Sequence, residues 1–243
     1  MLKAFIIEFN DVFIHLEYHK TKAWKKVFAK IDPEFKLSNA LIKKLITLNT
    51  SNQKLIFWQE FQNKCAQLYP KIAELPKLVL LKFYDQSLLE VLNQEISEEF
   101  INPHFLLELQ RLYQVFDITS YLYNCSQLTN WIWEKLNLAK KYPFIKLCFS
   151  IPKEYQTKYL EDHFIRFDSS QDILDWASQY QLRYNQIVVI AKNSHLIKTA
   201  FEANIYTVAI DNLTSNCYSH ISFQNWKEEI DFDQICFGFH AKD

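Results

Sequence analysis

Three apolar runs end in residues able to do chemistry. Ala4 to Phe9 stops at the polar cluster Glu8-Phe9-Asn10-Asp11, Phe116 to Tyr123 leads into Asn124-Cys125-Ser126, and Ile187 to Ile190 leads into Lys192-Asn193-Ser194. The second and third groups each precede a helical pattern. Asn and Ser at such places cap a helix by accepting its first N–H groups. Helix N-termini also attract anions, so a phosphate or carboxylate held between Asn124, Ser126 and Lys192 is the functional reading of these positions. His15, His19 and His195 are the histidines nearest these groups. No short H-x-H or H-x-x-x-H spacing joins His195 to the other two, so a histidine metal site is not expected. A thiol at a helix start can have a lowered pKa. Cys125 has no histidine base close to it in sequence, and it is not expected to act as a nucleophile.

These groups meet only if the fold gathers strand ends. After Asn102-Pro103 the pattern alternates. A helix (Phe105 to Tyr113), a strand (Phe116 to Tyr123) and a helix (Ser126 to Leu136) come first, then strand-like segments at Phe144 to Phe149 and His163 to Phe167. A helix near Gln171 to Tyr180, the strand Ile187 to Ile190, a helix (Ser194 to Ala203), a strand (Tyr206 to Ile210) and a strand-helix unit around Ile221 to Ile230 follow. Strands alternating with helices imply parallel crossovers and a sheet covered on both faces, with ligands at its carboxyl edge.

Glu17 to Asn93 is helical throughout. Leu37, Ala40, Leu41, Lys44, Leu45 and Leu48 form one stripe, Leu55, Trp58, Phe61, Cys65 and Leu68 a second, and Leu78 to Leu92 a third. Pro33, Pro70 and Pro76 punctuate them. The expected fold class is α/β: a Rossmann-like parallel sheet from residues 1–15 and 95–243, with an all-helical cap inserted at 16–94.

Composition bounds the function. The chain has 243 residues, 49% hydrophobic and 23% charged, with a formal net charge of −1. That is ample for a core. The balanced charge argues against a nucleic-acid stripe or a polybasic membrane patch. No apolar run reaches the ~18 residues of a membrane span, and Met1-Leu2-Lys3 leads into a strand rather than a signal peptide. The 5 cysteines show no C-x-x-C spacing and fit buried thiols in a reducing cytoplasm. Gly238 is the 1 glycine, where average usage gives roughly 17. Glycine-rich phosphate loops, nucleophile elbows and EF-hand loops are thereby excluded. Aromatic residues make up 16% of the chain, which favours a protein partner or self-association.

The segment from Lys3-Ala4-Phe5-Ile6-Ile7-Glu8-Phe9-Asn10-Asp11 through Glu17 to Ala23-Trp24 resembles the opening of the haloacid dehalogenase-like hydrolases. The likeness is closest to the β-phosphoglucomutase and phosphoglycolate-phosphatase branch, whose strand leads into D-x-D-G-x-x-x-D-T-E and a helix carrying Ala-Trp. The cap, Trp133 to Leu138, Gln171-Asp172-Ile173-Leu174, and Val188 to Ala203 follow in the family's order. Asn137 and Asn204 stand where the family ends helices with Gly, and Asn is the next-best left-handed cap.

The resemblance implies a phosphoryl-transfer site, and position by position that site is degenerate. The nucleophile Asp becomes Glu8, the acid/base Asp becomes Asn10, and the following Gly becomes Asp11. The Asp of D-T-E becomes His15, and the paired Mg²⁺-binding acids become Ala191 and Lys192. The Thr or Ser of the second motif falls on Asn124, or on Ser126 after a small gap. The phosphate-binding Lys has no counterpart; Asp168 is near its place, and Lys153, Lys158 or Arg166 are substitutes.

Losing an acid/base group typically costs about 10²–10⁴ in rate, and misplacing a nucleophile by one ångström costs roughly a hundredfold. The expectation is a protein without phosphoryl-transfer activity and without bound Mg²⁺. It binds a small anionic ligand or a protein partner through Glu8, Asn10, Asn124, Ser126, Lys192 and Asn193. The Lys192 ammonium is expected in the vacated metal position, paired with Glu8. The alternatives are a divergent phosphatase using Glu8, and a structural or assembly subunit.

Overall fold

Uninterrupted apolar runs make strands that are buried on both faces. In the computed structural model, which describes residues 1–48, 51–65, 69–124, 126–149, 159–161, 167–210, 218–223 and 230–240, six strands form one parallel sheet, buried on both faces at its centre and partly exposed at its edges. They are β1 (Ala4–Glu8), β2 (Thr119–Tyr123), β3 (Ile145–Leu147), β4 (Ile187–Ala191), β5 (Tyr206–Ile210) and β6 (Ile221–Phe223), in the order β3-β2-β1-β4-β5-β6. Five helices lie between β1 and β2 in the cap segment: α1 (Glu17–Ile31), α2 (Asn39–Ile46), α3 (Ser51–Cys65), α4 (Pro70–Ala73) and α5 (Lys77–Glu95). The remainder are α6 (Pro103–Phe116), α7 (Gln127–Lys135), α8 (Leu138–Lys141), α9 (Ser170–Gln179), α10 (Ser194–Glu202) and α11 (Phe232–His240).

Successive strand residues point to opposite faces, and the core divides accordingly. Phe5, Ile7, Val188 and Ile190 pack with Phe105 and Leu109 of α6 and Phe232 and Ile235 of α11. Ala4, Ile6, Val189 and Ala191 pack with Ile173 and Trp176 of α9 and Leu196 and Ala200 of α10. The first cluster continues through Phe9 and Phe13 into the cap, where Trp24 of α1 stacks on Tyr84 of α5 at 4.3 Å.

A chain nearly without glycine must turn its corners with other residues. Asp11, Asp117, Asn137, Gln181 and Asn204 take left-handed φ values of 53 to 66°, a conformation that costs most L-residues roughly 1–2 kcal/mol and Asn or Asp less. Both asparagines expected to replace glycine caps are among them. Gly238, by contrast, has a negative φ; it is needed for space, because a Cβ there would strike the Tyr206 hydroxyl.

Several elements differ from expectation. On α2 the buried residues are Ile42 and Leu45, while Ala40 and Lys44 are exposed, so the stripe is rotated. On α3, Lys54 is buried beside Phe57 and Trp58. Of the expected strand-helix unit around Ile221 to Ile230, the strand is present and residues 224–229 lie outside the described residues; a further helix starts at Phe232. Of the expected strand His163 to Phe167, only Phe167 lies within the described residues. Among those residues no helix is long and apolar enough to cross a membrane.

Candidate ligand cleft at the sheet switch point

The strand order runs outward from the centre in both directions, reversing between β1 and β4. Ligands of open parallel sheets bind at the carboxyl edge of such a switch point. Glu8 ends β1, and Lys192 and Asn193 follow β4. The three meet through the main chain. Glu8 Oε2 accepts the backbone N–H of Lys192 at 2.7 Å and of Asn193 at 2.8 Å. Burial pushes the Glu8 carboxyl up to about 7, the two N–H bonds and the Lys192 charge pull it back, and Asp11 adds to the rise. The Lys192–Glu8 encounter expected from the sequence is therefore present in another form. The hydrogen bonds shown come from backbone amides, and the Lys192 charge also acts on the carboxyl.

The start of α10 is partly satisfied from within. Asn193 Oδ1 caps it, accepting from His195 N at 2.9 Å and Leu196 N at 3.3 Å, and Glu8 takes the amides of Lys192 and Asn193. An anion recruited by these amides would have to displace both.

The other sequence-derived positions sort clearly. Asn124 is buried and spends its amide on the protein: Nδ2 donates to Asn130 Oδ1 at 2.9 Å and Phe149 O at 3.1 Å, and Oδ1 accepts from Phe149 N at 3.1 Å. It ties the loop after β2 to the loop after β3. Ser126 is the buried N-cap of α7, in a reciprocal box with Thr129. Asn10 Oδ1 is buried without a hydrogen-bond partner. None of the three borders the cleft.

His195 Nε2 bonds to Phe167 O at 3.1 Å, and His19 packs against Phe100 at 4.2 Å. The histidines are therefore separately engaged. Asp168 donates its N–H to Asp172 Oδ2 at 3.0 Å at the start of α9. Cys125, Lys153, Lys158 and Arg166 lie outside the described residues.

The cleft itself is a cavity of about 470 Å³. The core contributes Glu8, Asp11, Tyr123, Lys192, Asn193 and His195, and the cap contributes Glu17, Lys20, Thr47 and Gln53. Asp11 reaches it from a left-handed turn, its N–H bonded to Ile14 O at 2.9 Å.

Sequence reasoning missed the most heavily buried charges. Lys20 of α1 and Lys54 of α3, each 3% exposed, share the Glu161 carboxylate, which is 5% exposed. Lys20 Nζ lies 2.9 Å from Oε1, and Lys54 Nζ lies 2.5 Å from Oε2. Burial alone would raise Glu161; the two ammonium groups outweigh it and hold the carboxyl down at about 2. Burial likewise pulls Lys20 down, and Glu161 more than reverses that. Tyr84 of α5 completes the surround, with Lys54 Nζ 4.9 Å from its ring centre. Its phenol is held well above its ordinary value by burial and by Glu161. A signal was present. Leu16, Lys20, Ala23, Trp24 and Val27 form one buried helical face, and a lysine in such a stripe requires a buried partner.

The fold implies Mg²⁺, and the residues do not fit it. Mg²⁺ needs oxygen ligands in near-octahedral array. Here one Glu8 oxygen already accepts two N–H bonds, its carboxyl is about half protonated at neutral pH, and Ala191 and Lys192 offer no carboxylate. Among the described residues no three His, Cys, Asp or Glu side chains stand close enough to hold an ion.

No family model and no curated protein matches the sequence. Solved structures do. β-Phosphoglucomutase from Clostridium difficile aligns over 100% of this chain and 99% of its own, with a TM-score of 0.61 and 14% identity. A family IA, variant 3 hydrolase from Entamoeba histolytica covers 98% of this chain and 100% of its own (TM-score 0.59, 14% identity). CbbY from Rhodobacter sphaeroides, solved in complex with phosphate, covers 94% and 96% (TM-score 0.58, 10% identity). Such end-to-end agreement in sheet and cap shows that the chain has the haloacid dehalogenase-like fold.

Proposed function

We propose that this protein binds a small polar ligand carrying an anionic group in the cleft between sheet and cap, and does not transfer phosphoryl groups. The observation that carries the reading is the double hydrogen bond from Lys192 and Asn193 onto one oxygen of Glu8. A carboxylate so engaged, and protonated about half the time at neutral pH, is a poor nucleophile. Asn10, in the place of the acid/base, cannot exchange a proton at neutral pH. The groups lining the cleft suit recognition: Lys192 and Lys20, the latter also paired with Glu161, for an anion, and Asp11, Glu17, Thr47 and Gln53 for hydroxyl or amine groups. Its volume of about 470 Å³ is in the range of small-molecule sites. CbbY, similar in fold, was solved in complex with phosphate, which supports an anionic ligand.

Calorimetry with a panel of phosphomonoesters and carboxylates, beside turnover of p-nitrophenyl phosphate with Mg²⁺, tests the reading. Saturable binding with no turnover is the expected result. Turnover abolished by Glu8→Ala would establish a divergent phosphatase instead.

A further inference from the structure

Lys20 and Lys54 come from two different cap helices and converge on one carboxylate that the core supplies, beside the Tyr84 ring of a third. Two ammonium groups share that carboxylate, and the nearby Asp11 and Glu8 also act on the Lys20 charge, in a place where uncompensated charge is costly. Lys20 belongs to this cluster and also borders the cleft. Beside Glu161, Leu160 N donates to Asp85 Oδ2 of α5 at 3.3 Å, and Leu160 O accepts from Leu128 N at 2.9 Å.

We propose that Lys20, Lys54 and Tyr84 form an anion receptor in the cap whose resident occupant is Glu161, so that an anionic ligand entering the cleft competes with Glu161 for the same ammonium groups. The geometry is that of a receptor already filled. Each carboxylate oxygen has its own lysine, as two oxygens of a phosphate or of a ligand carboxylate would. With Glu161 in place, the segment that carries it is tied to α1 and α3 of the cap beside the cleft. With an exogenous anion in place, the tie passes from the protein's own carboxylate to the ligand. The ligand thus senses, and is opposed by, a group built into the fold. This inference rests on the reading of the cleft as an anion-binding site.

The test is calorimetric titration of the full chain and of Glu161→Gln with inorganic phosphate, and separately with acetate, at pH 7. Removing the competing charge is expected to tighten binding of at least one anion by about ten- to a hundredfold, the worth of one charge-assisted hydrogen bond. In the unmodified protein, saturating anion is expected to speed hydrogen exchange at the Leu160 amide as the Glu161 segment leaves. Equal affinities of the two proteins would overturn the competition and leave the cleft reading standing. Binding of neither anion to either protein would overturn both. Should Glu161→Gln fail to fold, the exchange measurement decides alone, and an unchanged Leu160 rate at saturation overturns the proposal.

Discussion

Replacing Glu8 with glutamine should stabilise the protein, and by an amount that depends on pH. The folded carboxyl titrates at about 7, against 4.5 for an unperturbed glutamate. Between those values the folded state holds a proton that the unfolded state has released. Stability from this group is therefore complete below pH 4.5 and is lost as pH rises through about 7. At 1.36 kcal/mol per pKa unit, the loss amounts to about 3 kcal/mol. Glutamine is neutral at every pH, and its side-chain oxygen can accept the same two N–H groups from Lys192 and Asn193.

Glu8→Gln should therefore match the unmodified protein at pH 4 and exceed it by about 3 kcal/mol at pH 8. Urea unfolding at unit steps from pH 4 to 8 measures this, because every other titrating group is common to both proteins and cancels in the difference. In a chain of this size, the gain at pH 8 corresponds to a Tm shift of roughly 6–12 °C. A stability difference that stays constant across the range would refute the reasoning. So would an unmodified protein that gains on the variant as pH rises, since that would mean Glu8 is ionised and well compensated in the folded state.

Glu161→Gln, which strands two buried lysines, should cost about 3–5 kcal/mol in urea unfolding at pH 7, whereas the triple change Lys20→Met, Lys54→Met and Glu161→Leu should come near neutral. Because Glu161 is depressed to about 2, its contribution is present above pH 4.5 and is lost as pH falls toward 2, so the cost of Glu161→Gln should shrink in acid. Gly238→Ala should destabilise by about 1–3 kcal/mol through overpacking against the Tyr206 hydroxyl, and adding Tyr206→Phe should recover part of that in the same assay. Gln181→Gly should raise stability by about 1 kcal/mol, since φ at this position is 58° and only glycine adopts it without strain.

The order of elements was legible because parallel strands announce themselves. Ile187 to Ile190 and Tyr206 to Ile210 are apolar at every position or nearly so, and they were placed within a residue of their observed limits. The end of β1 and its neighbour across the switch point could be read for the same reason. The cap was harder. Its helices bury polar residues where a stripe analysis looks for apolar ones: Lys20 and His19 on α1, Lys54 on α3. A lysine in the interior is paired through space, and Glu161 lies 107 residues from Lys54, a separation that no local pattern spans. Because they precede a helix, Asn124 and Ser126 carry two readings in the sequence, helix caps and ligand groups. The structure uses them as a loop tie and a cap, the commoner fate of such residues.

The same redirection runs through the whole carboxyl edge. In an open α/β sheet the residues after each strand are exposed by topology and are free to meet a ligand. Here three of them have been given internal partners: Glu8 the amides after β4, Asn124 the loop after β3, and Asn193 the first turn of α10. Each pairing neutralises a group that would otherwise have to be solvated or ligated. The pairings of Glu8 and Asn124 also fix one strand end against another without a glycine turn. What else lines the cleft comes from both sides: Tyr123, Lys192, His195 and Asp11, a charged residue in a left-handed turn, from the core, and Glu17, Lys20, Thr47 and Gln53 from the cap. Because Lys20 is also tied to Glu161, selectivity is best probed at Glu17, Thr47 and Gln53, where changes should alter which molecule binds while leaving the stability of the sheet untouched.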